Sequence, residues 1–110
     1  MATMTLHASG AETTSGSGIA MNVGANRAPG MFVSVTAVSG LLVSLIVTLQ
    51  VSPDGNIWAN VPDMTTASLI GVGNVFLAMP NSLNPDWIRC IWTISGLTPS
   101  FTFQTDLLTF

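Results

Sequence analysis

The chain has 110 residues, 48% of them hydrophobic and only 6% charged, with two arginines, no lysine and five acids for a formal net charge of −3. That length is one domain's worth, the apolar share is too high for a disordered chain, and two arginines cannot make the basic stripe that phosphate contacts need, so nucleic acid is not an expected partner. An ordinary domain is about 25% charged; here Ser, Thr, Asn and Gln must supply the polar surface, and a weakly charged, apolar-rich surface suits lasting contact with other subunits.

Met1 to Gly10 carries no basic region and no apolar run, so it does not read as a signal peptide. Thr3 to Ala8 reads as a weak first strand. Ser9 to Gly18 is a Gly/Ser/Thr stretch expected to be mobile or to grip a neighbour, with Ser15 and Ser17 as candidate contacts. Residues 1–18 are thus expected to form a strand and an arm ahead of a single domain at 19–110. Ile19 to Val23 is a short strand, and Gly24 to Gly30 is rich in turn formers. Met31 to Val51 has no charge over 21 residues, close to a membrane span in length. Its pattern argues otherwise: Leu41, Val43, Leu45, Val47, Leu49 and Val51 take alternate positions, the period of a strand. No membrane partner is expected. Ser39-Gly40 predicts a tight turn joining strands Met31–Val38 and Leu41–Ser52.

Ser52-Pro53-Asp54-Gly55 is turn chemistry: proline presets φ, Asp54 takes the second central position, and Gly55 takes the left-handed conformation that follows. It predicts a reversal into Asn56–Val61, with Ile57, Ala59 and Val61 inward and Trp58 outward. Thr66–Ile70 and Asn74–Met79 follow, then Trp87–Ile94, with Ile88, Cys90, Trp92 and Ile94 as the core face and Trp87, Arg89, Ile91 and Thr93 outward. Ser100–Leu107 closes the chain, with Phe101 and Phe103 inward. No segment shows helical spacing. About eight short strands predict an all-β, antiparallel β-sandwich or jelly-roll-like domain.

Catalytic chemistry is hard to place. His7, the sole histidine, is expected at an exposed end, and Cys90, the sole cysteine, in the core as a small hydrophobe. Asp54, Asp63 and Asp86 lack the alternate acids of a calcium loop. Gly71-Val72-Gly73 has neither the lysine nor the helix of a phosphate loop. The expectation is a protein that is not an enzyme and has no metal and no cofactor. Arg89 is the one charge inside a strong strand, placed to pair with Asp86 or Asp54 or to fork onto a partner's carboxylate. Trp58 and Trp87, on outer faces, are candidates for protein contact or for stacking on sugars.

The run Leu49-Gln50-Val51-Ser52-Pro53-Asp54-Gly55-Asn56-Ile57-Trp58, then Trp87-Ile88-Arg89-Cys90-Ile91-Trp92-Thr93-Ile94-Ser95-Gly96, then Pro99-Ser100-Phe101-Thr102-Phe103, resembles small structural proteins of tailed bacteriophages. The resemblance runs from about Ser9 to the C-terminus. It implies a virion component made in the host cytoplasm. The type it favours is a capsid decoration (cement) protein on the capsid surface, bound to the major capsid protein and homo-oligomeric, with a trimer first. Some similar chains serve tails or head–tail adaptors. The hairpin also resembles that of discoidin-like carbohydrate-binding modules, which are longer and more charged, and a sugar-binding module stands as the alternative.

Overall fold

The two strongest alternating runs build the centre of the molecule. In the computed structural model, which describes residues 2–22, 30–78 and 86–109, seven strands form one antiparallel sheet: β1 (Ala2–Glu12), β2 (Gly16–Ser17), β3 (Met21–Asn22), β4 (Gly30–Ser52), β5 (Ala59–Thr65), β6 (Gly73–Ala78) and β7 (Trp87–Thr109). No helix occurs among the described residues, so none is long and apolar enough to cross a membrane. The expected all-β, antiparallel class is the one found. The expected turn-rich stretch at 24–30 lies almost wholly outside the described residues, as does Val23.

The 23-residue strands β4 and β7 pair along nearly their whole length, from Gly30↔Leu108 to Ser52↔Trp87. This corrects the predicted hairpin at Ser39-Gly40. Residues 31–38 and 41–52 do not pair with each other; each pairs with a different half of β7. A straight strand of that length would measure about 76 Å, yet the longest dimension of the molecule is 42 Å. The ribbon is therefore folded. Trp92 and Phe103 are eleven residues apart on β7, about 36 Å if straight, yet their rings meet edge to face with centroids 5.5 Å apart.

The fold lies where both strands carry left-handed residues. Gly40 has φ of 111° and Leu42 of 53°; across the ribbon Gly96 has 123° and Thr98 46°. The pairing slips between Ser39 and Ser44, opposite Ser95 to Ser100. A Cβ on Gly40 would stand 2.8 Å from the carbonyl oxygens of Leu97 and Thr98, and one on Gly96 2.8 Å from the Val43 Cα. Only glycine fits this close crossing. Strand chemistry on either side and glycine at the crossing thus turn a flat ribbon into two facing arms. Both flanks follow the bend. β1, β2 and β3 run down the outer edge of β7, while β5, the Leu45↔Leu69 bridge and β6 run down the outer edge of β4.

The core fills the space between the arms. Met31, Val33, Phe101, Phe103 and Leu107 come from one arm, Leu45, Val47, Leu49, Ile88 and Cys90 from the other, and all are fully buried. The inward faces read from 88–92, 101–103 and 45–49 are the observed ones. Three inward assignments are corrected. Leu41 is 67% exposed because the alternation stops at the bend, Ile57 is 70% exposed because it belongs to the turn before β5, and Ala59, at the first position of β5, is exposed as well. His7, expected at an exposed end, is buried. The register of β1 shifts between Thr5 and His7, so consecutive residues Leu6 and His7 both turn inward. Residues 9–12 continue β1, and Gly16–Ser17 pairs with Trp92 and Ile91.

Trp92 joins the arms: it touches Phe103 and His7 and donates its Nε1–H to the Thr14 carbonyl at 3.0 Å. Trp92→Ala is expected to lower unfolding stability by about 3–5 kcal/mol, read by chemical denaturation. Unchanged stability would show that this ring does not hold the arms together.

Candidate functional site

In an antiparallel pair, opposed residues share a face. The outward face of the arm containing residues 44–52 and 87–95 therefore carries three cross-strand ranks. Asn22, Trp87 and Ser52 form the first; Arg89, Gln50 and Asn60 the second; Ser17, Ile91, Thr48 and Thr65 the third. Trp58, just before β5, lays its ring over the second rank. The Arg89 guanidinium carbon sits 4.3 Å from the Trp58 ring centroid, a cation–π contact. Arg89 Nε–H donates to Gln50 Oε1 at 2.8 Å, and Gln50 Nε2–H donates to Asn60 Oδ1 at 2.8 Å.

The structure thus unites Arg89, Trp58, Trp87 and Ser17 on one surface, all half-buried except the exposed Ser17. Ser15 lies near the end of this row, where its hydroxyl accepts the Ile94 N–H at 2.9 Å. Arg89 makes no ion pair with Asp54 or Asp86: among the described residues the one salt bridge is His7–Glu12. Its guanidinium is oriented by a neutral amide oxygen and an aromatic face.

The Ser52–Gly55 turn sets the end of this surface. Ser52 Oγ accepts the N–H groups of Asp54 at 3.2 Å and Gly55 at 2.8 Å, and Asp54 Oδ1 accepts those of Asn56 at 2.8 Å and Ile57 at 3.0 Å. Those donors, Ile57 first, then Asn56, then the Ser52 hydroxyl, hold the Asp54 carboxyl below its ordinary 3.8. The Trp87 ring lies over Gly55, with ring atoms 3.3 Å from where a Cβ would stand, so the turn and the tryptophan support each other.

A second feature escaped the sequence reading. An open cleft of about 360 Å³ is lined by Leu6, His7, Glu12, Ser17, Gly18 and Trp92, among others. His7 stacks on Phe103 with centroids 4.1 Å apart and an interplanar angle of 10°; its Nδ1 donates to the Phe103 carbonyl at 3.0 Å, and its Nε2 lies 3.3 Å from Glu12 Oε1. No spacing in the sequence signals this pair, because a register shift in β1 creates it. Among the described residues no group of three or more His, Cys, Asp or Glu side chains stands together as a metal site.

Cys90 is buried beside Thr105, and burial pushes its thiol up to about 11 from 9.0; the Thr105 hydroxyl, which lacks any oxygen or nitrogen partner, offsets little of this. A neutral thiol of this kind is a poor nucleophile.

No family model matches the sequence, and no curated protein is similar to it. Among solved structures, the crystal structure of the SPBc2 prophage-derived protein YomS is similar to this chain with a TM-score of 0.51, at 13% identity, over 96% of this chain and 90% of that one. At that identity the likeness is one of fold.

Two titrations follow. A thiol reagent should label Cys90 in denaturant and not in the folded protein near neutral pH. Because its folded pKa is raised, the Cys90 contribution to stability is fully present below 9.0 and is lost as pH rises toward about 11; stability unchanged across that window would contradict the burial. For Asp54 the sign reverses: the turn is supported at neutral pH and weakens as pH falls through a midpoint below 3.8. The amide proton shifts of Asn56 and Ile57 should report that midpoint.

Proposed function

We propose that this chain is a structural virion protein of a tailed bacteriophage, and specifically a capsid decoration protein. On this reading it binds the major capsid protein and further copies of itself on the outer surface of the assembled shell. The observation that carries the reading is the exposed apolar crest at the bend: Leu41, Leu42 and Leu97 are 67%, 93% and 63% exposed. Leu42 is also held at a left-handed φ of 53°. A monomer gains nothing from presenting three exposed leucines, one of them strained, to water; burying them on a lattice recovers their transfer free energy.

Three further points support it. The motifs at 49–58 and 87–103 resemble those of small tailed-phage structural proteins. The fold is similar to that of a prophage-derived protein. The oriented, half-buried Arg89 and Trp58, with Trp87 beside them, have the composition of a protein-binding hot spot. The sugar-binding alternative is weaker, because Arg89 already occupies one face of the Trp58 ring. A protein that binds the finished lattice and not free subunits adds its whole binding free energy to the assembled state.

Particles lacking the protein should still form and should rupture at lower temperature or lower internal pressure. Trp87→Ala or Arg89→Ala should cost about 2 kcal/mol or more, roughly a thirtyfold loss in shell affinity, measured as occupancy in electron-microscopy maps. Leu42→Gly should leave the stability of the isolated protein unchanged or higher, since glycine relieves the backbone strain, while lowering occupancy. Equal robustness with and without the protein, density in the tail or neck, or binding to a free glycan would each reject the cement role.

A further inference from the structure

Among the described residues the sheet has three edges long enough to recruit another strand, and two are guarded. β1 is interrupted by register shifts between Thr5 and His7 and between His7 and Gly10, and its Leu6 carbonyl is already taken by the Ile19 N–H at 3.2 Å. β5 carries Pro62, a register shift in its pairing with β4, and Asp63 at φ 63°. Bulges, proline and charge are the devices by which proteins prevent edge pairing. β6 has none of them. It pairs with β4 in unbroken register from Gly30↔Ala78 to Val35↔Gly73, and among the described residues its backbone bonds to no other strand. No charged residue occurs from Met64 to Ala78. A Cβ on Gly71 or Gly73 would meet nothing within 4 Å, and Ile70, Val72 and Phe76 are 73%, 70% and 47% exposed beside this edge.

We propose that the outer edge of β6, unpaired among the described residues, pairs antiparallel with the same edge of a second copy, across a two-fold axis. The occupant is an extended, uncharged strand with apolar flanks, and the chain itself offers one that neither repels its mate nor lacks donors and acceptors for it. A two-fold contact is self-complementary by construction. Side-chain parity narrows the register. Opposed residues must share a face, so Val75 lies opposite Val75 of the second copy, or Phe76 opposite Phe76. In both registers the two Phe76 rings are direct or diagonal neighbours, within reach of aromatic contact. The same edge thereby extends the four-strand arm into an eight-strand sheet. This contact goes beyond the virion role proposed above, which it does not need, and gives the self-association a dimeric geometry in place of the trimer expected first.

The edge is short, so the dimer should be weak, with a dissociation constant of roughly micromolar or above. Light scattering on purified protein should show a concentration-dependent rise from the 11.5 kDa chain mass to twice that value. Phe76→Lys and Ala78→Lys, both on the outward face of β6, should each weaken the dimer about tenfold or more. Phe76 also covers Gly30, where a Cβ would lie within 2.5 Å of its ring; if Phe76→Lys does not fold, Ala78→Lys decides alone. Amide hydrogen exchange at 73–78 should slow with concentration in the wild type only. A wild-type chain that stays monomeric at millimolar concentration, a dimer or trimer that survives the folded lysine variants, or protection confined to other strands would each overturn the proposal. None of these readings depends on the capsid, so failure here and failure of the particle experiment are separable.

Discussion

A two-stranded ribbon of 23-residue strands can bury an apolar face against itself only if both strands turn at the same rank, since a turn in one strand alone would break the ladder. β4 and β7 meet that condition with Gly40 and Leu42 facing Gly96 and Thr98. Once the ribbon folds there, Met31, Val33, Phe101 and Phe103 come to lie against Leu45, Val47, Cys90 and Trp92, and one cluster serves as the core of both arms. The flanking strands add width and keep water from the ladder edges, but the fold of the ribbon decides which residues face one another.

The bend also shapes the surface. At its crest the alternation of inward and outward residues has no inward side to use, so Leu41, Leu42 and Leu97 project into solvent. Away from it, the outward face of the second arm keeps strict alternation and accumulates a polar array: Thr48 with Thr65 at 3.1 Å, Gln50 with Asn60, and Arg89 with Gln50. With so few charges in the chain, this array is built from hydroxyls and amides, which join strands without desolvating an ion. Arg89 is the exception. Its charge is accommodated by the Trp58 face and one amide oxygen, which orients the guanidinium without neutralising it.

Much of this was legible in the residues. The period of two at 45–51, 88–94 and 101–107 determined the class of fold and most of the core, because the pleat puts alternate side chains on opposite faces regardless of which strand lies alongside. Ser52-Pro53-Asp54-Gly55 determined its turn through local hydrogen bonds that need no distant partner. The outward placement of Trp87 and Arg89 followed from the same alternation, whereas Trp58 precedes β5 and lies between the exposed Ile57 and Ala59, where the alternation expected for 56–61 does not hold.

What the tertiary structure alone decided is the set of relations between ranks distant in sequence. Ser39-Gly40 has the chemistry of a hairpin, and became a bend because β7 offered a continuous partner with Gly96 opposite; no local signal distinguishes the two outcomes. The Arg89–Trp58 stack joins residues 31 positions apart through a register that depends on that bend. His7 is buried because a bulge in β1 turned two consecutive residues inward, and a bulge depends on the partner strand. Alternation is a property of each strand and can be read along the chain. Register is a property of pairs of strands, and it exists only once the pairs have formed.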